Sequence, residues 1–372
     1  RPDWFALPFS SSMADEYNSF SSYNTTNTQE RSTYPNAVLH TKQIVATLEA
    51  TYILTSGQCR DPMGTYFEVT RRSDGRLCRM DFEPTHSTDD YSTRHVEMEN
   101  AIRILLLHSP DPTLVSHLHA CFDAGKSEPW RLAVFPMKKR TVHDYINEKW
   151  PDLYGTKDMK ESLMMIAVHS FNALRALHAL NVVHANITPD SFIFGEDSAS
   201  RRILLSDFHC AVFPRASRPI RSRGRAPKKA TFQSRMKNRG FMPTRKDDIE
   251  SWMYMVAYCY NKNFLPWIEE GKDNERVLQL KRAFCIGRFW PCLRIELFAE
   301  FKNITKLHMD VKGMAAPDYN AIWNNLMSAC SEMNLNPLKL GEWIKNNVGN
   351  LTAMSKTRVE PKKLQFMTLP QC

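Results

Sequence analysis

The fold is decided by the stretch His184-Ala185-Asn186-Ile187-Thr188-Pro189-Asp190-Ser191-Phe192 and by its companion, Ser206-Asp207-Phe208-His209, a short hairpin later. The two stretches lie between residues 160–180 and 247–260, whose apolar residues recur at helical spacing. A loop-and-hairpin segment at the centre of a helical region is therefore expected, with its polar side chains brought together near the hairpin.

The region before this segment has a different texture. Residues 66–69 and 76–80 are strand-like and are joined by a turn of Asp-Gly type. Residues 91–107 show helical spacing, and residues 132–135 predict another buried strand. Strands followed by helices predict an α+β protein with a small β-rich part and a larger helical part.

The length of 372 residues and the hydrophobic content of 42% allow either one two-lobed domain or two small domains. We expect residues 1–44 to form a flexible tail rich in Ser, Asn and Thr, with aromatic residues available for docking. The N-lobe is predicted over residues 45–136 and the C-lobe over 137–350. Residues 351–372 are expected to form a C-terminal tail.

Four further motifs follow in order along the C-terminal half. They are Arg245-Lys246-Asp247-Asp248-Ile249-Glu250-Ser251-Trp252, Leu265-Pro266-Trp267, Ala316-Pro317-Asp318-Tyr319 and Gly341-Glu342-Trp343. Together with the two central stretches, they resemble the protein kinase superfamily, and within it the casein kinase I and tau-tubulin kinase branch. The resemblance runs over about residues 50–343 and implies a bilobal protein kinase fold.

The resemblance also implies a degenerate catalytic loop. Asn186 stands where a kinase has the carboxylate that receives the substrate proton, and an amide cannot take up a proton at neutral pH. Thr188 replaces a lysine and Ser191 replaces the asparagine that binds a second magnesium ion. We therefore expect a pseudokinase that is not an enzyme and that acts as a scaffold or regulator.

Three residues are expected to be remnants of the nucleotide and metal site: Arg79, Glu99 and Asp207. Arg79 aligns with the lysine that grips phosphates, so an Arg79–Glu99 ion pair is expected to join the lobes, with two ordinary solvated charges as the alternative. His184 and Asp248 are expected to be structural. The resemblance implies that the Asp248 carboxylate accepts backbone N–H groups of the catalytic loop. This role is compatible with Asp248 also capping its own helix.

No cofactor is expected, and ATP and magnesium are not expected to bind. Gly57 and Gly64 are too few and too far apart to form a cradle of backbone amides for phosphates. The resemblance places Pro136 in the hinge, where it lacks the N–H group that an adenine ring would use. No metal site is expected from the scattered His and Cys residues.

The segment between Phe208 and Lys246 contains no Asp or Glu. We call this strongly cationic stretch the basic segment, and we expect it to bind an acidic or phosphorylated protein. RNA or DNA backbone contact and a solvated loop or nuclear-import signal are the alternatives. The candidate binding residues are Arg215, Arg218, Arg221, Arg223, Arg225, Lys228, Lys229, Arg235, Lys237 and Arg239.

Composition places limits on the setting of the protein. A formal net charge of +9 fits an acidic partner, and nine scattered cysteines without a C-x-x-C pair fit a reduced intracellular protein. No stretch is apolar enough to span a membrane, so we expect a cytoplasmic or nuclear subunit of a larger complex. The other functions under consideration are a weakly active ATP-dependent Ser/Thr kinase and a nucleic-acid-binding subunit of a ribonucleoprotein.

Overall fold

A computed structural model describes most of residues 44–336. The description leaves out residues 48, 62–63, 85–94, 128–129, 138–139, 154–155, 196–201, 214–230, 262–264, 269, 271–273 and 286–315. The predicted tails therefore lie almost entirely outside the described residues.

The N-terminal part is a six-stranded sheet in the order β1-β2-β3-β4-β6-β5, in which all neighbouring strands are antiparallel. Its core contains Tyr52, Val69 and Met80, which are fully buried because alternate residues of each strand face inward. The strands are β1 (Ile44–Ala46), β2 (Thr51–Asp61), β3 (Gly64–Arg71), β4 (Leu77–Pro84), β5 (Asp123–Ser127) and β6 (Trp130–Pro136).

The C-terminal part is mainly helical, with a small hairpin of β7 (Phe192–Phe194) and β8 (Ile203–Leu205). Single turns of 3₁₀ helix precede and follow this hairpin. The helices of the described chain are α1 (His95–Leu107), α2 (Pro112–Val115), α3 (Val142–Leu153), α4 (Lys157–Ala179), α5 (Arg235–Asn238), α6 (Arg245–Tyr260), α7 (Asn274–Cys285) and α8 (Tyr319–Glu332).

A glycine turn and a carboxylate at the start of helix α1 set how this helix is attached to the sheet. Gly75 adopts φ +70° in the turn between β3 and β4, a backbone conformation that glycine adopts without steric cost. At the far end of β4, the Glu83 carboxylate accepts hydrogen bonds from the backbone N–H groups of Val96 (3.0 Å) and Glu97 (3.1 Å). These bonds satisfy free donors of the first helical turn and fix α1 against the sheet.

The helical core forms around α4 and α6. Phe171 and Trp252 are fully buried with ring centroids 5.3 Å apart, and the Trp252 indole N–H donates to the Ser170 hydroxyl at 2.8 Å. Helix α6 is buried along almost its whole length, so it forms the central support of this part.

The predicted elements agree with those observed. The bilobal α+β architecture, the Asp-Gly hairpin, the helix ending at Leu107 and both long helices are present. Among the described residues, no helix is both long enough and apolar enough to cross a bilayer.

Candidate functional site

The loop over residues 184–191 is held in place by Asp248, in the first turn of α6. This carboxylate is 1% exposed, and it accepts the backbone N–H groups of His184 (2.6 Å) and Ala185 (2.8 Å). His178, at the end of α4, contacts the same carboxylate at 3.0 Å. The bonds stabilise Ala185 at φ +65°, in the left-handed region that a residue with a Cβ rarely adopts.

His184 joins this loop to the segment after β8. Its Nε2 lies 2.9 Å from the Ser206 carbonyl oxygen, and its ring packs edge-on against Phe208 with centroids 5.5 Å apart. Burial lowers the pKa of His184, so the ring is neutral and donates to the carbonyl. The position of His184 is that of a structural residue.

The polar residues of the loop bond mainly to the loop itself. The Ser191 hydroxyl donates to the Asn186 carbonyl oxygen at 2.8 Å and accepts from the Thr188 backbone N–H at 3.2 Å. The Thr188 hydroxyl lies 3.1 Å from the same Ser191 oxygen. Thr188 and Ser191 thus form a local capping box. Neither side chain carries the positive charge of the lysine that Thr188 replaces in the resemblance.

Asp207 has a left-handed backbone, with φ 69° and ψ 63°, and its carboxylate contacts Nδ1 of His209. Burial alone would raise the pKa of Asp207, but the His209 ring beside it keeps that pKa below its usual value. Burial would lower the pKa of His209, yet the Asp207 carboxylate raises it well above the usual value. The two side chains therefore form an ion pair.

Glu99, on α1, connects the sheet side of the site to the segment that contains Asp207. Its Oε1 accepts the backbone N–H of Phe208 at 2.7 Å, and its Oε2 is buried and has no hydrogen-bond partner in the described chain. Burial, helped by the nearby carboxylates of Asp207 and Asp81, raises the pKa of Glu99 to about 8. Glu99 is therefore mostly protonated at neutral pH.

The expected Arg79–Glu99 ion pair is not formed, and this expectation was wrong. Arg79 instead makes a two-pronged pair with Asp81, with Nε–Oδ1 at 2.6 Å and Nη2–Oδ2 at 2.9 Å, and its guanidinium lies 4.5 Å from the Tyr66 ring centroid. Residues two apart on a strand share a face, so the Asp81 carboxylate is within reach of Arg79. Asp81 is a site residue that family position does not indicate, although its spacing from Arg79 is visible in the sequence.

The side chains at the expected magnesium position are bonded to other groups of the protein. Among the described residues, no group of three or more His, Cys, Asp or Glu side chains is arranged to hold a metal. The Ser191 hydroxyl is used inside the loop, and Asp207 is paired with His209. Both side chains therefore already have partners within the described chain.

Only part of the basic segment is described. Arg215, Arg218, Arg221, Arg223, Arg225, Lys228 and Lys229 lie outside the described residues. Arg235 forms an ion pair with Glu250, with Nε–Oε1 at 2.9 Å, and Lys237 donates to the Ala185 carbonyl oxygen. Arg239 is exposed. The described cations of this segment thus differ: Arg235 and Lys237 hold the fold, whereas Arg239 faces solvent.

Both ends of the undescribed part, residues 214–230, are attached to the helical region. Before it, Val212 exchanges backbone hydrogen bonds of 2.8 and 2.9 Å with Val183, next to the catalytic loop. After it, the Thr231 carbonyl oxygen accepts the Trp267 indole N–H at 2.7 Å. Val212, near the start of this stretch, therefore lies beside the candidate site.

A buried lysine also supports the far end of the basic segment and was missed from the sequence. Lys281, on α7, is fully buried and donates to the Gln233 carbonyl oxygen (2.6 Å) and the Asn238 side chain (3.3 Å). Burial lowers its pKa to about 7. Its ammonium lies 5.3 Å from the centroid of the Tyr254 ring and 5.4 Å from that of Trp267. A lysine on an amphipathic helix gives no sequence signal for such an environment.

Comparison with known proteins agrees with this architecture. No family model matches the chain. A probable casein kinase I homolog of Encephalitozoon cuniculi (strain GB-M1) is 29% identical over 184 residues, which is 47% of this chain and 53% of that protein. The chain therefore spans about half the length of this curated relative.

A solved structure of vaccinia related kinase 3 superposes with a TM-score of 0.60, covering 81% of this chain and 93% of that one at 17% identity. This structural similarity supports the predicted fold. The prediction that the chain is not an enzyme is contradicted, because both similar proteins are named as kinases. We therefore withdraw that prediction.

Proposed function

Because this chain has the protein kinase fold and is related to the protein kinase superfamily, we propose that it binds an acidic or phosphorylated protein through its basic segment. The main support is the charge pattern: between Phe208 and Lys246 there are many Lys and Arg residues and no Asp or Glu. Such a density of one sign attracts phosphate and carboxylate groups and accelerates association.

The attachment of residues 214–230 supports a defined binding site. The Val183–Val212 backbone pair fixes one end, and the Trp267–Thr231 bond fixes the other. A cationic stretch tethered at both ends loses less conformational entropy on binding than a free tail does.

The test is a titration of a fluorescent phosphorylated casein peptide with the full chain at about 50 mM salt, followed by anisotropy. Reversal of Arg221, Arg223 and Arg225 to Glu is expected to weaken binding by more than about tenfold. The matched control reverses Lys157, Arg175 and Arg282, which lie outside the segment and carry the same total charge. An equal loss of peptide affinity in both triple variants would show that only the net charge matters, which would contradict the proposal.

The same assay separates protein from nucleic acid as the partner. Binding to a protein partner is expected to favour the phosphorylated peptide over its dephosphorylated form. Single-stranded RNA that bound more tightly than the phosphopeptide, with a steep salt dependence, would support the alternative of a ribonucleoprotein subunit. In that case the protein-docking proposal would be abandoned.

A second candidate function is ATP-dependent phosphorylation of Ser or Thr in a protein. It is favoured by the kinase names of the relatives and by the Glu99–Phe208 hydrogen bond, which couples α1 to the Asp207 segment. The test is phosphate transfer to casein in the presence of ATP and magnesium, with Asp207→Ala as the control. Transfer that disappears in Asp207→Ala would establish this function; equal signal in both proteins would assign it to a contaminant.

A thermal shift measurement addresses nucleotide binding separately. We expect no rise in melting temperature at millimolar ATP and magnesium, because Asp207 and Ser191 are already bonded within the protein. A ligand that binds the folded state must raise the melting temperature. A clear upward shift would contradict this expectation and favour the second candidate.

A further inference from the structure

Four partly exposed side chains beside the loop over residues 184–191 have no role in either proposed function. They are Asp190 in the 3₁₀ turn before β7, His143 on α3, Tyr258 on α6, and Phe232, which follows the undescribed part of the basic segment. We call this group the Asp190 cluster. Its members come from four separate parts of the chain, so the tertiary fold brings them together and no sequence motif indicates them.

Asp190 supplies a carboxylate that is fixed on one side and open on the other. Its Oδ2 lies 2.9 Å from Nδ1 of His143, and the Asp190 and His143 side chains are 31% and 33% exposed. The second oxygen, Oδ1, makes no hydrogen bond within the described chain. An ionised carboxylate has several acceptor sites, so Asp190 can accept a further N–H group from a ligand.

Aromatic rings continue the cluster from His143. The centroid of the Tyr258 ring lies 6.3 Å from that of His143 and 5.2 Å from that of Phe232, and both pairs are nearly perpendicular, at 85° and 89°. In a perpendicular pair one ring contributes only its edge, so its faces remain available for another contact. Tyr258 and Phe232 are half-buried, so a ligand at the surface can reach their rings.

The chemistry of the cluster favours a cation. Burial raises the pKa of Tyr258 to about 12, with smaller contributions from Cys259 and Asp190, so the phenol is neutral at pH 7 and the negative charge of the cluster is that of Asp190. A carboxylate attracts cations, and so does the face of an aromatic ring. A ligand that uses both features carries a positive charge, several N–H donors and a flat surface.

We propose that the Asp190 cluster is a binding site for an arginine side chain of a protein partner. The guanidinium donates N–H groups to Oδ1 of Asp190 and lays its plane against an aromatic ring of the cluster. A lysine ammonium is compact and strongly hydrated, so it meets these two requirements less well. The site is independent of the basic segment, because it requires no acidic or phosphorylated group on the partner.

The first test is saturation-transfer NMR of the full chain with the capped tripeptide Gly-Arg-Gly and with matched peptides that carry citrulline or lysine in place of arginine. Citrulline keeps the shape of arginine and lacks its charge. The arginine peptide is expected to bind at least about fivefold more tightly than either of the others. Equal binding of the citrulline or lysine peptide, or no binding of the arginine peptide at about 10 mM, would overturn the proposal.

The second test locates the site with Asp190→Asn and Phe232→Leu, compared with Asp152→Asn, which removes the same charge at the exposed end of α3. Both cluster variants are expected to weaken binding of the arginine peptide by about threefold or more and to keep the melting temperature, whereas Asp152→Asn is expected to change neither. If Asp190 only fixed α3 to the loop, Asp190→Asn would lower the melting temperature and leave the preference for arginine over citrulline unchanged. That result, or an equal loss of affinity in Asp152→Asn, would overturn the proposal.

Discussion

At the scale of single residues, Arg79 and Glu99 are both buried and have different partners. Asp81 lies on the same face of β4 as Arg79 and binds its guanidinium, so Arg79 does not pair with Glu99. The cost of burying Glu99 is then reduced by protonation rather than by pairing. Asp81, on a strand, thus favours the protonated form of Glu99 on the neighbouring helix.

This protonation predicts a pH dependence of stability. The pKa of Glu99 is raised from 4.5 to about 8, so its stabilising contribution is complete below about pH 4.5 and is lost as the pH rises toward 8. Glu99→Gln keeps an oxygen for the Phe208 N–H and removes the titration. At pH 7 the variant is expected to be more stable by roughly 3 kcal/mol, because each unit of pKa shift corresponds to about 1.4 kcal/mol.

Urea unfolding of both proteins between pH 5 and 9 checks this prediction. Glu275→Gln, at the exposed start of α7, is the matched control and is expected to follow the unaltered protein. A Glu99→Gln variant whose stability falls with pH as steeply as that of the unaltered protein would show that Glu99 does not titrate in this range.

At the scale of elements, α6 positions the loop over residues 184–191 through one side chain. Asp248 accepts two backbone N–H groups from the loop and contacts His178, which in turn bonds the Tyr319 hydroxyl of α8 at 2.8 Å. Three elements therefore depend on one buried carboxylate. An amide at this position would place an N–H group against at least one of these donors.

Asp248→Asn is expected to destabilise the protein by about 2–4 kcal/mol, because buried backbone donors lose a charged acceptor. The control is Asp318→Asn, at the exposed N-cap of α8, where asparagine caps as well as aspartate does and the expected cost is under about 0.5 kcal/mol. The measurement is the urea midpoint at pH 7. Equal midpoints for the two variants would show that the loop does not depend on Asp248.

The elements were more predictable from sequence than the contacts between their side chains. Apolar periodicity gave α4 and α6, and the Asp-Gly pair gave the turn before β4, since these signals are local. The partner of Arg79 was assigned by family position, whereas the structure pairs it with Asp81. The burial of Lys281 depends on the packing of three separate segments, which no local pattern encodes.

At the scale of the whole molecule, backbone hydrogen bonds join the N-terminal part to the helical part. The His119 N–H donates to the Leu205 carbonyl oxygen at 2.8 Å, and the Leu205 N–H donates to the His117 carbonyl oxygen at 3.0 Å. The Glu99–Phe208 bond adds a third link from α1. Separation of the two parts would expose all three bonds and the apolar surface around them, so we expect the parts to unfold together.

Native-state hydrogen exchange with peptide-level mass spectrometry tests this coupling. The slowest amides of β4 and of α6 are expected to exchange with the same free energy of opening. That free energy is expected to decrease equally for both sets as urea is added. In Glu99→Ala, which removes the acceptor of the Phe208 N–H, both sets are expected to exchange faster by the same factor. If the sheet instead opened at a lower free energy than α6 in the unaltered protein, the two parts would be separate cooperative units, and a ligand bound near Asn186 would stabilise only the part it contacts.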